Sequence, residues 1–135
     1  MELTSLVENI HWIPVLLMTI FSFVTGFTWH QPFLFGKAWK AGNNITSAKQ
    51  GINATLFFSG TVIVHFIALA ALSAVVLNQG MVSGIIAGFL ISIFWILPAM
   101  TGTNLFASRP LKLLTIDAGM YILLFSVSGL VLGIH

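Results

Sequence analysis

Residues 112–134 read KLLTIDAGMYILLFSVSGLVLGI, and this stretch decides the class of fold. After its opening lysine it carries one charged side chain, Asp117, and it is apolar all round rather than on one face. A helix needs about 20 apolar residues to cross a hydrocarbon core of roughly 30 Å, and inside lipid a helix satisfies its own backbone groups. The stretch therefore predicts a membrane-spanning helix.

The composition of the whole chain agrees with this assignment. Of its 135 residues, 58% are hydrophobic and only 6% are charged, whereas soluble domains carry about 25% charged residues. Five basic and three acidic side chains cannot cover a soluble globule, and they form no basic patch for a nucleic acid. The lack of cysteine excludes disulfides, thiolate metal sites and thiol catalysis. We therefore expect membrane lipids as partners and no nucleic acid.

Three further stretches have the same character, at about 12–29, 53–77 and 81–105. None alternates apolar and polar residues in the way that a transmembrane barrel strand does. The sequence predicts one all-α domain over residues 1–135. Its architecture is that of a polytopic membrane protein with four transmembrane helices in an antiparallel bundle.

The basic residues predict the orientation of this bundle. Three of them lie between spans one and two, and the other two lie where span three passes into span four. The turn at residues 78–80 and both termini carry no lysine or arginine. Under the positive-inside rule these two loops face the cytoplasm, so both termini lie outside. The five residues are Lys37, Lys40, Lys49, Arg109 and Lys112.

Pairs of small residues four positions apart recur in every span. Because lipid supplies no hydrophobic drive between helices, such pairs allow two backbones to approach closely. Packing inside one chain explains them, and so does contact between copies; we expect a homo-oligomer whose order the sequence leaves open. The pairs include Ser22 with Gly26, Thr55 with Ser59, Gly84 with Gly88, and Gly129 with Gly133.

Residues 31–40 interleave bulky apolar side chains with two lysines, directly after the first span. Aromatic rings that enter the acyl boundary, next to lysines at the headgroups, are typical of a segment that lies along the membrane surface. We therefore predict a cytoplasmic interfacial segment here.

The third span contains two residues that are unusual at membrane depth. Pro98 lacks the N–H that would bond the carbonyl of Phe94, which predicts a kink. Trp95 lies near the middle of the span, where its indole N–H needs a partner.

Ionisable side chains inside a span are rare and are candidates for function. Asp117 lies about two turns into the fourth span, and Tyr121 follows one turn later on the same face. Other polar residues gather at the cytoplasmic ends of the spans, which predicts a ligand-binding cavity open to the cytoplasm or a hydrogen-bond network that ties the helix ends together. The main members are His30, Asn53, Asn104 and, just outside, Arg109.

His65 lies close to the centre of the second span and admits three interpretations. It is a neutral histidine bonded to Trp95, Ser59 or a backbone carbonyl, or a group that relays protons or binds a ligand, or a haem ligand. Paired axial histidines must lie at similar depth on facing helices, and the chain has no second histidine near the midplane. A haem would therefore need a histidine from a neighbouring copy.

Residues 26–39, GFTWHQPFLFGKAW, resemble the signature of a family of small bacterial four-helix membrane proteins known as domain of unknown function 1761. Its pattern has a glycine, a Trp-Tyr pair, a proline and then Leu-Phe-Gly-Lys-x-Trp. Residues 109–114, RPLKLL, followed by Asp117, Gly119 and Tyr121, resemble its closing segment. His30 stands where the pattern has tyrosine, and Asp117 where a smaller amide is common.

This resemblance implies four helices and a bacterial inner-membrane location, and it implies no activity. It also marks a set of positions at the cytoplasmic end of the bundle. They are Gly26, Trp29, Pro32, Phe35, Gly36, Lys37, Trp39 and Arg109.

We derive three hypotheses of function from these observations. The first is a non-enzymatic, oligomeric membrane protein that holds a lipid or small amphiphile, or passes a small solute, through a polar cavity facing the cytoplasm. The second is a haem or redox protein that uses His65, and the third is a structural accessory subunit of a larger membrane complex. The first needs no cofactor, and no residue pattern indicates a catalytic or metal site. Its cavity would be lined by His30, Asn53, Asn104 and Asp117, with His65, Trp95 and Tyr121 as further ligand-binding candidates.

Overall fold

The computed structural model describes residues 2–42 and 54–135, and it is helical almost throughout these two ranges. A π-helical turn at Ser92–Ile96 joins two of the helices into one span. The helices are α1 (Leu3–Glu8), α2 (Trp12–Trp29), α3 (Gly36–Gly42), α4 (Ala54–Val76), α5 (Met81–Ile91), α6 (Leu97–Phe106) and α7 (Leu111–Ile134).

The four predicted spans are confirmed as helices long and apolar enough to cross a membrane. In the described residues these helices are Trp12–Trp29, Thr55–Val76, Met81–Phe106 and Leu111–Ile134. Their outward faces are apolar, as Ile13, Ile67 and Phe94 illustrate with more than half of each side chain exposed. Such surfaces suit lipid as the surrounding solvent. The chain is therefore an all-α protein of the polytopic membrane class.

Helix α7 is the centre of the bundle. Half of its most apolar stretch is buried, compared with 17–22% for the other three spans. The apolar core lies towards the end of α7 that is remote from Asp117, where Leu124 and Leu132 pack with Val15 of α2 and Leu69 of α4. The polar side chains near Asp117 therefore occupy the other end of the bundle.

Glycines bring α5 and α7 into backbone contact. A Cβ on Gly84 would overlap the carbonyl of Gly129, and one on Gly88 would overlap the carbonyl of Phe125. Gly80, with φ +87°, donates its N–H to the Gly133 carbonyl at 2.9 Å. Residue numbers thus rise along α5 as they fall along α7, so the two helices run in opposite directions. These small residues serve packing inside one chain.

The π-helical turn lies directly before Pro98, where the sequence predicts a kink. Pro98 occupies the first turn of α6, so its missing N–H falls where the wider turn ends. A single π-helical turn is a usual way to disturb the regular bonding of a helix. Ser92 at the start of this turn is buried, with its Oγ 2.9 Å from the Gly88 carbonyl and 3.2 Å from the Tyr121 carbonyl. The sequence predicted the kink but not this π turn.

Candidate functional site

Asp117, one and a half turns into α7, is approached by side chains from three other parts of the chain. The Trp39 indole Nε1–H donates to its Oδ1 at 3.1 Å. Nε2 of His30 lies 3.7 Å from the same oxygen, and Nη2 of Arg109 lies 3.8 Å from Oδ2. The carboxylate is 16% exposed. We call these four residues the Asp117 cluster.

A tight reversal after α2 brings Trp39 to this carboxylate. The N–H of Phe35 donates to the Trp29 carbonyl at 3.2 Å, and that of Gly36 donates to the Gln31 carbonyl at 3.0 Å. A Cβ on Gly36 would overlap the carbonyl of His30, so this reversal requires glycine. Helix α3 then folds back towards α7 and carries Trp39 with it.

Trp29 also connects this reversal to α7 through a hydrogen bond. Its Nε1–H donates to the carbonyl of Ile116, the residue before Asp117, at 3.0 Å. Its ring contacts Phe35, with the ring centroids 4.7 Å apart. The two tryptophans of the family pattern therefore bind successive residues of α7.

His30, one residue past the end of α2, is held by its own helix. Its Nδ1 lies 2.7 Å from the Gly26 carbonyl. A carbonyl only accepts, so Nδ1 carries a hydrogen in this bond and Nε2 is the nitrogen that titrates. The ring meets Trp39 edge to face at 4.9 Å between centroids. The Asp117 carboxylate raises the pKa of His30, because it stabilises the imidazolium; partial burial opposes this rise, and the Gly26 carbonyl adds to it.

Asn104 fixes the loop that presents Arg109. Its Nδ2 donates to the Arg109 carbonyl at 3.1 Å, and the Arg109 N–H donates to the Asn104 carbonyl at 3.0 Å. Asn104 is 2% exposed, so its side chain is committed to this loop. A cavity of about 240 Å³ opens beside Arg109, Asp117 and Asn104, with Thr103 and Met100 in its wall.

A second and larger cavity, of about 330 Å³, lies between α2 and α4. We call it the α2–α4 cavity. Most of its wall is apolar, and its polar lining comes from both helices and from α3. The apolar lining includes Phe23, Phe27, Phe57, Phe58 and Met120; the polar lining is Ser22, His30, Gln31, Trp39, Thr61 and His65.

His65 bonds to a backbone carbonyl, which is one of the partners considered from the sequence. Its Nδ1 lies 2.7 Å from the Thr61 carbonyl. Its ring stacks on Tyr121, with centroids 6.3 Å apart and planes inclined by 17°. Tyr121 follows Asp117 by one turn of α7, so His65 and His30 contact side chains on successive turns of the same helix.

The structure divides the predicted site residues rather than gathering them around one cavity. His30 and Asp117 meet, but His30 lines the α2–α4 cavity, while Asp117 and Asn104 line the smaller one. Within the described residues, members of the Asp117 cluster border both spaces, and the single cavity expected from the sequence stays a prediction. Asn53 falls outside the described residues.

Trp95 is not brought to either cavity. It is 74% exposed on the outer surface of the π-helical turn, and the hydrogen bond of His65 goes to the Thr61 carbonyl instead. The apolar part of the indole ring suits a surface that faces lipid. The expected partner inside the bundle is therefore absent from this part of the structure.

The family pattern is only partly at the site. Gly26, Trp39 and Arg109 border one of the two cavities, and Trp29, Phe35 and Gly36 build the reversal. Pro32 and Lys37 are exposed. Sequence reasoning placed Trp39 at the membrane surface and missed its bond to Asp117. It also missed the four phenylalanines of the α2–α4 cavity, since phenylalanine is common throughout these spans.

Fold and site together define a small polytopic membrane protein with a charged cluster at one end of an apolar bundle. A family model described as protein of unknown function (DUF1761) matches residues 13–133, and the chain belongs to this family. No curated protein and no solved structure matches the chain.

Proposed function

We propose that the protein is a non-enzymatic membrane protein that binds a lipid or small amphiphile in the α2–α4 cavity. One observation carries this proposal: an apolar cavity of about 330 Å³ with polar groups in its lining. Ligand pockets of roughly 300–1,000 Å³ with apolar walls and a few polar groups are the usual form of a small-molecule site.

The lining offers both parts of an amphiphile a suitable surface. Phe23 and Phe58, whose ring centroids lie 5.5 Å apart, provide an apolar wall for a chain or ring. His30 and Gln31, which follow the end of α2, provide polar groups near the membrane surface. Lipids of the surrounding membrane are the partners that this arrangement favours.

Gly26 offers a direct test, because it lines the cavity and has room for a side chain. A Cβ there would meet only the Met120 sulfur, at 3.9 Å. We expect Gly26→Leu to fold and to reduce the lipid or amphiphile retained by purified protein, measured by native mass spectrometry. Gly102→Leu is the matched control, since a Cβ at Gly102 would meet no other part of the described structure within 4 Å. Equal lipid retention by the two variants would refute the proposal.

The proposal includes a location in the bacterial inner membrane, with the Asp117 end in the cytoplasm and both termini outside. The five basic residues of the two loops support this orientation through the positive-inside rule. A single cysteine introduced at Gln79 should react with a membrane-impermeant reagent added to intact spheroplasts. Labelling only after the membrane is broken would reverse the orientation.

We also propose that copies of the chain associate. Thr55 and Ser59 support this, because these small residues stay exposed on α4 instead of packing against another helix of the chain. Native mass spectrometry should give a multiple of the chain mass. Thr55→Leu with Ser59→Leu should lower that multiple, and a purely monomeric wild-type protein would refute this part of the proposal.

A further inference from the structure

The polar groups of the α2–α4 cavity differ in what they leave available to a ligand. The Oγ of Ser22 bonds to the Thr19 carbonyl at 2.7 Å, and Oγ1 of Thr61 bonds to the Phe57 carbonyl at 2.7 Å. Both hydroxyl hydrogens are therefore directed at the backbone of their own helices. The Trp39 N–H is directed at Asp117. These donors of the lining are already committed.

His65 leaves an acceptor. Its Nδ1 hydrogen is used on the Thr61 carbonyl, so in the neutral imidazole Nε2 is a bare nitrogen that accepts a hydrogen bond. The ring lines the cavity, and its stacking on Tyr121 holds its plane. Within the described residues no donor meets this nitrogen.

Gln31 repeats this arrangement near the end of α2. One hydrogen of its Nε2 donates to the Phe27 carbonyl at 3.1 Å, which leaves the amide oxygen to accept and the second N–H to donate. At the His65 end of the cavity, a ligand that donates a hydrogen bond therefore fits better than one that only accepts.

We propose, on the basis of the function proposed above, that the ligand is an uncharged apolar molecule with a phenol or alcohol hydroxyl that donates to Nε2 of His65. A charged group at this depth would lose its hydration without gaining a counter-ion. A quinol-like phenol and an isoprenoid alcohol share the required chemistry.

Two pairs of probes test the donor and separate these two sources. The first pair is para-decylphenol and para-decylanisole, and the second is farnesol and its methyl ether. Each ether keeps the apolar body and loses the donor. Binding is measured by calorimetry on protein in lipid nanodiscs, and the pair with the larger difference identifies the ligand class.

We expect one hydroxyl probe to bind about five-fold more tightly than its ether, since a neutral hydrogen bond contributes on the order of 1 kcal/mol. His65→Leu should remove this preference, while His65→Gln, which restores an acceptor, should keep part of it. Gly26→Leu should weaken both members of a pair alike. A change in lipid retention alone would not produce this pattern.

Equal binding of hydroxyl and ether probes by the wild-type protein would overturn the proposal. This comparison uses the wild-type protein alone, so it does not depend on whether a variant folds. If Gly26→Leu then still blocks both probes, ligand binding in the cavity stands and only the hydroxyl class is wrong. If neither probe binds and Gly26→Leu also retains as much lipid as Gly102→Leu, the proposed function itself fails.

Discussion

Trp39 and Asp117 lie 78 positions apart in the chain, and the indole N–H of the first donates to the carboxylate of the second at 3.1 Å. This bond ties α3 to α7 across the polar end of the bundle. Arg109 and His30 approach the same carboxylate from two other segments. One acidic side chain thus organises four parts of the chain at this end, which is the behaviour of a network that joins helix ends.

Replacing Asp117 should destabilise the protein, and the loss should be smaller when the new side chain can still accept a hydrogen bond. Asp117→Leu leaves the Trp39 N–H, the Arg109 guanidinium and the His30 imidazole without the carboxylate, at a cost of about 1–3 kcal/mol. Asp117→Asn keeps an oxygen for Trp39 and should lose less. Thermal unfolding in detergent measures both. A denaturation temperature for Asp117→Leu equal to that of the wild type would show that the cluster contributes no stability.

Stability should also depend on pH through His30. Its pKa is raised in the folded protein by the Asp117 carboxylate, so protonation favours the folded state. This contribution is complete below the ordinary pKa of about 6.5 and is lost as the pH rises through the raised value. Among the described residues, the groups that face His30 are Asp117 and Trp39, with Arg109 on the far carboxylate oxygen.

The measurement is the denaturation temperature over a series of pH values that starts at about pH 6 and extends upward. The wild type should be less stable at the higher pH values. His30→Gln should reduce this difference, and a variant with the same pH profile as the wild type would assign the effect to another group.

Gly84 and Gly129 should not tolerate alanine. A Cβ on either would overlap the carbonyl of the other residue, and overpacking of this kind costs about 1–3 kcal/mol. Gly60→Ala is the matched control, because a Cβ there would meet no neighbouring element within 4 Å among the residues that the structure describes. Thermal unfolding should show a loss for Gly84→Ala and Gly129→Ala and none for Gly60→Ala. Equal values for all three would mean that α5 and α7 do not pack closely.

The four spans were predictable because helix length and composition decide whether a segment crosses a membrane. Which side of a span faces the bundle was less predictable. These helices are apolar all round, so their sequences carry no polar face to mark the lipid side. Trp95 illustrates this: its depth could be estimated from the sequence, but its 74% exposed outward position could not.

The sequence predicted which polar residues gather at one end of the bundle. It did not predict which of these side chains contact each other. Arg109 and Asp117 were both expected among these polar residues. The bond between Trp39 and Asp117 depends on the reversal at Gly36 and on the docking of Trp29, which are long-range contacts. His30 and Asn104 line different cavities, and each of these cavities also borders other residues of the Asp117 cluster.

Trp39→Phe should release α3 while leaving the bundle folded. The ring that contacts His30 stays, but the N–H that reaches Asp117 is lost, at a net cost on the order of 1 kcal/mol. We expect faster hydrogen–deuterium exchange in residues 36–42 and unchanged exchange in α5 and α7, because α7 keeps its glycine contacts with α5. Trp95→Phe is the control, since that indole lies on the outer surface and should leave exchange in α3 unchanged. Equal exchange of α3 in the two variants would mean that other contacts, and not the bond to Asp117, hold this helix against α7.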